Sequence, residues 1–165
     1  EDKPTMNVRS KKIIANKGFV QPERYVFSNG LSLDWTAPFF SLPGKKVVAT
    51  TKKKLPKFSR KLKDVYIMNC TAKNNHINPL NFVERVSKQN VNNILIEAGP
   101  ALLGSFGDKN LIDEYIFYIS PEKLGDKALY FYGGQKKINF FDNKQFDIVE
   151  ETQIGKDKKI VLRKK

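Results

Sequence analysis

Cysteine, histidine and tryptophan each occur once in these 165 residues, and methionine only twice. With Cys70 as the one thiol, no disulfide can close within the chain. With His76 as the one imidazole, no cysteine- or histidine-rich zinc site can be assembled, and the reading assigns no metal. His76, beside Asn74-Asn75 in a polar loop, reads as a solvated side chain, and Cys70, which closes a strand, as a small buried filler. No apolar run approaches the roughly 18 to 20 residues a membrane helix needs. The opening Glu1-Asp2-Lys3-Pro4 lacks the apolar segment of a signal peptide, so the expectation is a cytoplasmic protein with no membrane partner. Acidic residues are scarce too: 17 Asp and Glu face 30 Lys and Arg, a formal charge of +13.

What the chain does have is core material, 40% hydrophobic residues with 12% aromatics, enough for one ordinary domain. The positive charge favours polyanionic partners. Its densest block, Lys52 to Lys63, suggests a nucleic-acid surface, but few aromatics interleave with it and no nucleic-acid-binding motif accompanies it. A lysine- and asparagine-rich composition spread over solvated faces explains the charge as well, and an enzyme acting on phosphorylated ligands tolerates such a field. No specific nucleic acid is assigned as a partner.

Along the chain, Arg24–Ser28 reads as a strand stopped by Asn29-Gly30, Lys46–Thr50 as a second and Asp64–Asn69 as a third. Leu31–Gly44, with Trp35, two prolines and Phe39-Phe40, reads as an ordered surface loop with apolar anchors. Asn78-Pro79 announces a helix to about Gln89, its apolar face built from Leu80, Val83 and Val86 and widened by Phe82. Asn93–Glu97 is apolar at nearly every position, as in a strand covered on both faces. Pro100 opens a short helix with Leu103 and Phe106 inward. Glu114–Ile119 is a strand whose alternating Tyr115, Phe117 and Ile119 read as core rather than a stacking platform. Leu129–Tyr132, Phe146–Glu151 and Lys159–Arg163 complete the set, the last two as a hairpin around Gly155-Lys156-Asp157. Strands alternating with helices early and paired by tight turns late predict an α/β domain with a mixed sheet and an antiparallel C-terminal edge.

The stretch with chemical promise is Ile94-Leu95-Ile96-Glu97-Ala98-Gly99-Pro100 with Leu103, Gly104, Ser105 and Phe106. It places a carboxylate and a glycine turn where a buried strand gives way to a helix, aiming unpaired backbone N–H groups at an anion above the sheet edge. Glu97 there would accept hydrogen bonds from hydroxyl groups. A capping or lysine-paired Glu97, and glycines at 99 and 104 that serve only close packing, remain the alternatives.

Those residues, with Leu111-Ile112-Asp113-Glu114, Tyr118-Ile119-Ser120-Pro121 and Leu124-Gly125-Asp126, resemble the reductase domain of the bifunctional riboflavin-biosynthesis deaminase/reductase. Asp2-Lys3-Pro4-Thr5-Met6-Asn7-Val8-Arg9 is similar to that family's Asp-Asp-Pro-x-Leu-Thr/Asn-x-Arg segment, and Gln21-Pro22-Glu23-Arg24-Tyr25-Val26 to its strand entry. The resemblance thins between Leu31 and Asn78 and after Tyr132. It implies a dihydrofolate-reductase-like fold, a mixed and mostly parallel sheet flanked by helices with an antiparallel C-terminal hairpin. It also implies NADPH as cofactor and reduction of the ribose of 5-amino-6-(5-phosphoribosylamino)uracil to a ribityl chain. By matching position, Glu97, Met6 (through its backbone) and Arg9 would bind this phosphorylated pyrimidine substrate. Gly99, Pro100, Ala101, Leu102, Leu103, Gly104 and Ser105 would wrap the cofactor's phosphates, with Asp2 and Asn29 at further cofactor positions. A guanidinium at position 9 suits a phosphate, which it grips bidentately; a solvated Arg9 is the alternative. No catalytic proton donor is assigned.

Residues 1–165 are accordingly expected to be the C-terminal portion of one reductase domain. The domain's first strands and the zinc deaminase domain of the intact protein are expected to lie outside these residues, the fragment to be inert alone, and the protein to be a homo-oligomer. Lys3 replaces the second of the family's paired aspartates, and Ala98 stands between Glu97 and Gly99. Two other readings stay open: a related NADPH-dependent pyrimidine or pterin reductase, and a basic nucleic-acid or anion-binding module.

Overall fold

The structure, a computed structural model, describes residues 4–52, 62–142 and 144–165 and divides into two compact units, Glu1–Gln89 and Asn90–Lys165. Asp2 and nearly all of the basic block at 52–63 lie outside the described residues.

In the first unit, β1 (Arg24–Phe27), β2 (Lys46–Thr50) and β3 (Val65–Asn69) form a parallel sheet in the order β1-β2-β3. The register sets Arg24 beside Lys46 and Lys46 beside Val65. Central β2 is buried at every position, as a run of Val and Ala flanked by two parallel neighbours should be. Between β1 and β2, the expected anchored loop contains a single helical turn, α2 (Pro38–Ser41). Its Phe39 and Phe40 join Val48 in a core that Met6, Val26, Leu33, Trp35 and Val65 extend. A further turn of helix, α1 (Lys11–Ile14), precedes β1.

The polar stretch after β3 folds back as a two-residue ladder, β4 (Ala72–Lys73) with β5 (His76–Ile77). Asn74 and Asn75 both take positive φ, 51° and 62°, the backbone that a two-residue hairpin turn demands and asparagine tolerates. His76 is exposed, on this small ladder rather than in a loop. Cys70 is buried directly after β3.

Helix α3 (Pro79–Ser87) starts as the sequence signals, with the Leu80 N–H donating to Asn78 Oδ1 at 3.1 Å. Its inward stripe is Pro79, Phe82 and Val86, while Leu80 is 43% exposed. The helix is rotated from the expected Leu80–Val83–Val86 face because Phe82 seats on the aromatic residues of β1. Its ring lies 5.5 Å from Tyr25 and 4.6 Å from Phe27.

In the second unit, β6 (Glu114–Ile119), β8 (Asp157–Lys164) and β7 (Phe146–Ile154) form an antiparallel sheet in the order β6-β8-β7. The β7–β8 hairpin turns through Gly155 at φ 60° and carries an irregularity between Ile148 and Glu150. Tyr115, Phe140, Phe146, Ile160 and Leu162 make its core. Phe117 packs on that core, but Ile119, expected inside with it, is 39% exposed at the strand's end.

Two expected strands do not form. Asn93–Glu97 is irregular, with Ile94 43% and Leu95 69% exposed. An apolar run records suitability for burial on both faces, but a strand also needs a ladder partner for its backbone, and no described strand supplies one. Leu129–Tyr132 is irregular as well. Directly after it, Gly133 N–H donates to Pro100 O at 3.0 Å, and while the Tyr132 ring turns inward, Leu129 and Tyr130 are exposed. The class expected from the sequence nevertheless holds: helices with parallel pairing early, and an antiparallel C-terminal hairpin late.

Candidate functional site

In the first unit, the segment Pro4–Arg9 runs without regular structure, held at two points from outside. Arg24 donates to Thr5 O at 3.1 Å, and the Gln21 carboxamide bonds both backbone groups of Val8. Met6 takes φ 50° and packs its partly buried side chain against the Phe39–Phe40–Val48 core. Asn7 Oδ1 is buried with no hydrogen-bond partner among the described residues. Arg9 is exposed and forms no ion pair with any described residue.

Asn29 follows β1 at the carboxyl edge of the parallel sheet, where ligands of open α/β sheets gather. Its side chain is already engaged: Thr51 Oγ1 donates to Asn29 Oδ1, and Asn29 Nδ2 donates to Asn75 O at 2.5 Å. The Thr50 hydroxyl donates to Asn29 O at 3.4 Å. Asn29 thereby ties the exit of β1 to the exit of β2 and to the β4–β5 turn. An open cleft of about 830 Å³ runs along β3 and α3, lined by Tyr66, Met68, Arg85 and Lys88 among others, and holds none of the sequence-predicted site residues.

In the second unit, Glu97 is exposed on the irregular segment and bonds to no described residue. It therefore does not sit at the end of a formed strand as expected, although it still leads directly into the helix α4 (Pro100–Gly107). Gly99 caps α4 with no side-chain hydrogen bond, and a Cβ added there would meet nothing within 4 Å. The space over Gly99 is thus open, while the Pro100–Ala101 peptide lies against Gly133, whose N–H donates to Pro100 O at 3.0 Å.

The rest of the expected cofactor stretch is packed. Leu103 turns to the aromatic core, and the Ser105 hydroxyl donates back to Leu102 O at 2.8 Å. Gly104 is buried against Gly133 and Gly134: an added Cβ would stand 2.2 Å from Gly134 N. A Cβ added at Gly107 would stand 2.6 Å from Tyr132 Oη. Asp108, past the end of α4, accepts from Gln135 N at 2.8 Å, Lys136 N at 2.9 Å and Tyr132 Oη at 3.2 Å. The two backbone N–H groups, more than any other contact, hold its carboxyl below the usual range. Burial, and then the Asp108 charge, push the Tyr132 phenol well up.

The Gly133–Gly134 and Asp108 contacts were not singled out from sequence. The available signal was glycine at 104 and 107 on one helix face, followed downstream by a glycine pair, a pattern that permits backbone-to-backbone approach.

The profile described as "RibD C-terminal domain" matches residues 1–159, nearly the whole chain and both units. The chain belongs to the RibD C-terminal domain family. Among curated relatives, the "Riboflavin biosynthesis protein RibD" of Buchnera aphidicola subsp. Baizongia pistaciae is 40% identical over 103 residues, 62% of this chain and 27% of that protein. The "5-amino-6-(5-phosphoribosylamino)uracil reductase" of Buchnera aphidicola subsp. Acyrthosiphon pisum is 28% identical over 173 aligned residues, 99% of this chain and 81% of that protein. Among solved structures, RibD of Acinetobacter baumannii superposes with a TM-score of 0.79 at 25% identity, covering 99% of this chain and 44% of that one. The fold is the dihydrofolate-reductase-like one of RibD reductases. The chain spans about a quarter of the first relative and under half of the Acinetobacter RibD.

Within this RibD C-terminal domain, the candidate residues fall on two kinds of support. Met6, Arg9 and Asn29 hang on the clamped start and the carboxyl edge of the parallel sheet. Glu97 and Gly99–Leu102 sit at the entrance of α4, whose far side is fixed by Gly104, Gly107 and Asp108.

Proposed function

We propose that this chain carries NADPH-dependent reduction of the ribose of 5-amino-6-(5-phosphoribosylamino)uracil to the ribityl product in riboflavin biosynthesis. It would act in the cytoplasm, in a homo-oligomer whose intact subunit includes a deaminase domain. The observation that carries the reading is the family match running through 1–159, which takes in Met6, Arg9, Glu97 and the α4 entrance together. The name of the relative that this chain spans to 81% supports the same substrate.

The residues present fit a dinucleotide cofactor at α4. The helix start has no capping side chain and the space over Gly99 is open, so the first-turn donors other than Pro100, which has no N–H, can meet phosphate oxygens. Gly99, Ala101 and Leu102 would hold the phosphates through their N–H groups, with Pro100 setting the start of the helix. The bound cofactor would supply a hydride to C1 of the open-chain ribose. The chain's own residues act by holding. Arg9, exposed and in no ion pair with a described residue, would take the substrate phosphate bidentately, and Glu97 would accept from ribose hydroxyls. Met6, three residues before Arg9 in the same clamped segment, would contribute its backbone. Asn29 would meet the cofactor only by releasing one of its two side-chain partners.

The test is turnover of the pyrimidine with NADPH by the complete protein, followed by loss of NADPH absorbance and the mass of the ribityl product. Arg9→Ala should raise KM for the substrate about 10- to 100-fold, the loss of a charge-assisted phosphate contact worth about 1.5–3 kcal/mol. Absence of turnover by the complete protein refutes the reading. Reduction of a pterin instead moves it to the related reductase. Salt-dependent binding of arbitrary DNA without NADPH binding moves it to a basic binding module.

A further inference from the structure

The stretch Gln21-Pro22-Glu23-Arg24 fastens the segment that carries Met6 and Arg9. The Gln21 side chain meets Val8 with both of its polar atoms. Val8 N–H donates to Oε1 at 2.9 Å, and Nε2 donates to Val8 O at 3.0 Å. A carboxamide can present donor and acceptor side by side, so it reproduces on one residue the pair of bonds a neighbouring strand would make. Three residues on, Arg24 is 3% exposed. Its Nη1 donates to Thr5 O at 3.1 Å, and its Nη2 donates to Leu42 O at 2.9 Å and Pro43 O at 2.8 Å. Its guanidinium also lies 5.5 Å from the centre of the Phe39 ring.

These anchors fall at Thr5 and Val8, the immediate neighbours of Met6 and Arg9. Pro4–Arg9 makes no helix or strand, and Met6 sits in the left-handed region that a methionine rarely adopts. No hydrogen bond among the described residues lies within the segment; the Met6 side chain packed against the Phe39–Phe40–Val48 core and the two side chains of the β1 entry hold its shape. Arg24 is itself built in: its strand neighbour Lys46 is 2% exposed and donates to the same Leu42 O at 3.1 Å.

We propose that Gln21 is a positioning residue for the substrate, with Arg24 as its companion. By fixing the backbone at Val8, it presents the Arg9 guanidinium and the Met6 backbone to the phosphorylated pyrimidine in one geometry, so that ordering is complete before binding. The inference rests on the functional reading above. Gln21 does not touch the substrate; it acts through Val8.

Because Arg24 is buried beside a second cation, its variants risk not folding, and Gln21 carries the test. In the complete protein, Gln21→Ala, with its unfolding transition checked against the parent, should raise KM for 5-amino-6-(5-phosphoribosylamino)uracil about tenfold while kcat changes less than about threefold. Gln21→Glu discriminates further. Its carboxylate still accepts from Val8 N–H but turns a lone pair toward Val8 O, and only the protonated acid restores the donor. The ratio of its KM to that of the parent should therefore fall toward one as pH is lowered into the carboxylic-acid range. Taking the ratio cancels the titration of the substrate phosphate. A purely structural loss has no such recovery.

Hydrogen exchange at the Val8 amide gives a readout without activity, expected faster in Gln21→Ala and protected in Gln21→Glu. A folded Gln21→Ala with unchanged KM, or with unchanged Val8 exchange, overturns the proposal while leaving the functional reading standing. A parent protein that neither binds nor reduces the pyrimidine refutes that reading, and the substrate role of Gln21 falls with it.

Discussion

Replacing Gly104 by alanine tests how the α4 entrance is held. An added Cβ would lie 2.2 Å from Gly134 N, 2.5 Å from Gly133 C and 2.6 Å from Gly134 Cα. All three are backbone atoms, so no side chain can rotate away. Reaching the 3.4 Å at which ordinary contact begins requires α4 and the Gly133–Gly134 segment to part by about 1.2 Å. Overpacking of this kind costs about 1–3 kcal/mol, and a clash with backbone belongs at the upper end. The separation also breaks the Gly133 N–H bond to Pro100 O, about 1 kcal/mol more. Against this, alanine in a helix gains about 1 kcal/mol over glycine. The net expectation is a loss of about 3 kcal/mol, or a fall of roughly 6–12 °C in Tm for a chain of this size. Calorimetry or thermal circular dichroism on parent and variant measures it. Gly99→Ala is the control, since its Cβ meets nothing and its φ is −68°, and it should move Tm by no more than about 2 °C. A Gly104→Ala protein as stable as the parent would refute the backbone-contact account of this helix.

Asp108→Asn removes the charge that accepts from Gln135 N, Lys136 N and Tyr132 Oη. Because the folded carboxyl titrates below its ordinary value, its contribution is complete above that value and lost as pH falls through the folded one. The stability gap between parent and variant should therefore be widest near neutrality and close toward about pH 2, and an equal gap at both ends of a urea series refutes it. Phe82→Ala empties the contact between α3 and β1 at a residue 2% exposed, and should cost about 3–5 kcal/mol in chemical denaturation. A cost under about 1 kcal/mol would mean that the Tyr25 and Phe27 rings do not hold this helix.

The sequence was most legible where a local signal and its structural consequence involve the same few residues. Asn78-Pro79 starts a helix because cap and fixed φ act within one turn, and Glu114–Ile119 alternates because a strand's two faces differ residue by residue. It was least legible where the outcome depends on a distant partner. Asn93–Glu97 has strand composition without a described ladder, and Leu129–Tyr132 has it too, but its neighbour Gly133 is bonded to a helix about thirty residues upstream in sequence. The face of α3 turned on the same point: Leu80 and Phe82 are both apolar, and only the aromatic residues of β1 decide which goes inside. For the site, resemblance supplied the residues that would touch ligands. What it did not supply were the roles of Gln21, Asp108 and the Gly133–Gly134 pair, which reside in distances to backbone atoms.

That division has an energetic reason. Arg9, Glu97 and Gly99 are exposed and bond to no described side chain, so replacing them removes contacts made only with a ligand and should leave the fold intact. Gln21, Arg24, Gly104 and Asp108 are engaged with backbone of another segment, and in each case that segment, or the helix itself, carries a candidate ligand contact. Backbone is the right target for such supports. Its donors and acceptors are present whatever side chain evolves at the contact position, so the ligand-facing residue can change without losing its placement. Variants of the exposed set should thus separate binding from stability, whereas variants of the supporting set should move both. Gln21→Glu is the exception, because protonating its side chain returns the lost bond without any change in the chain.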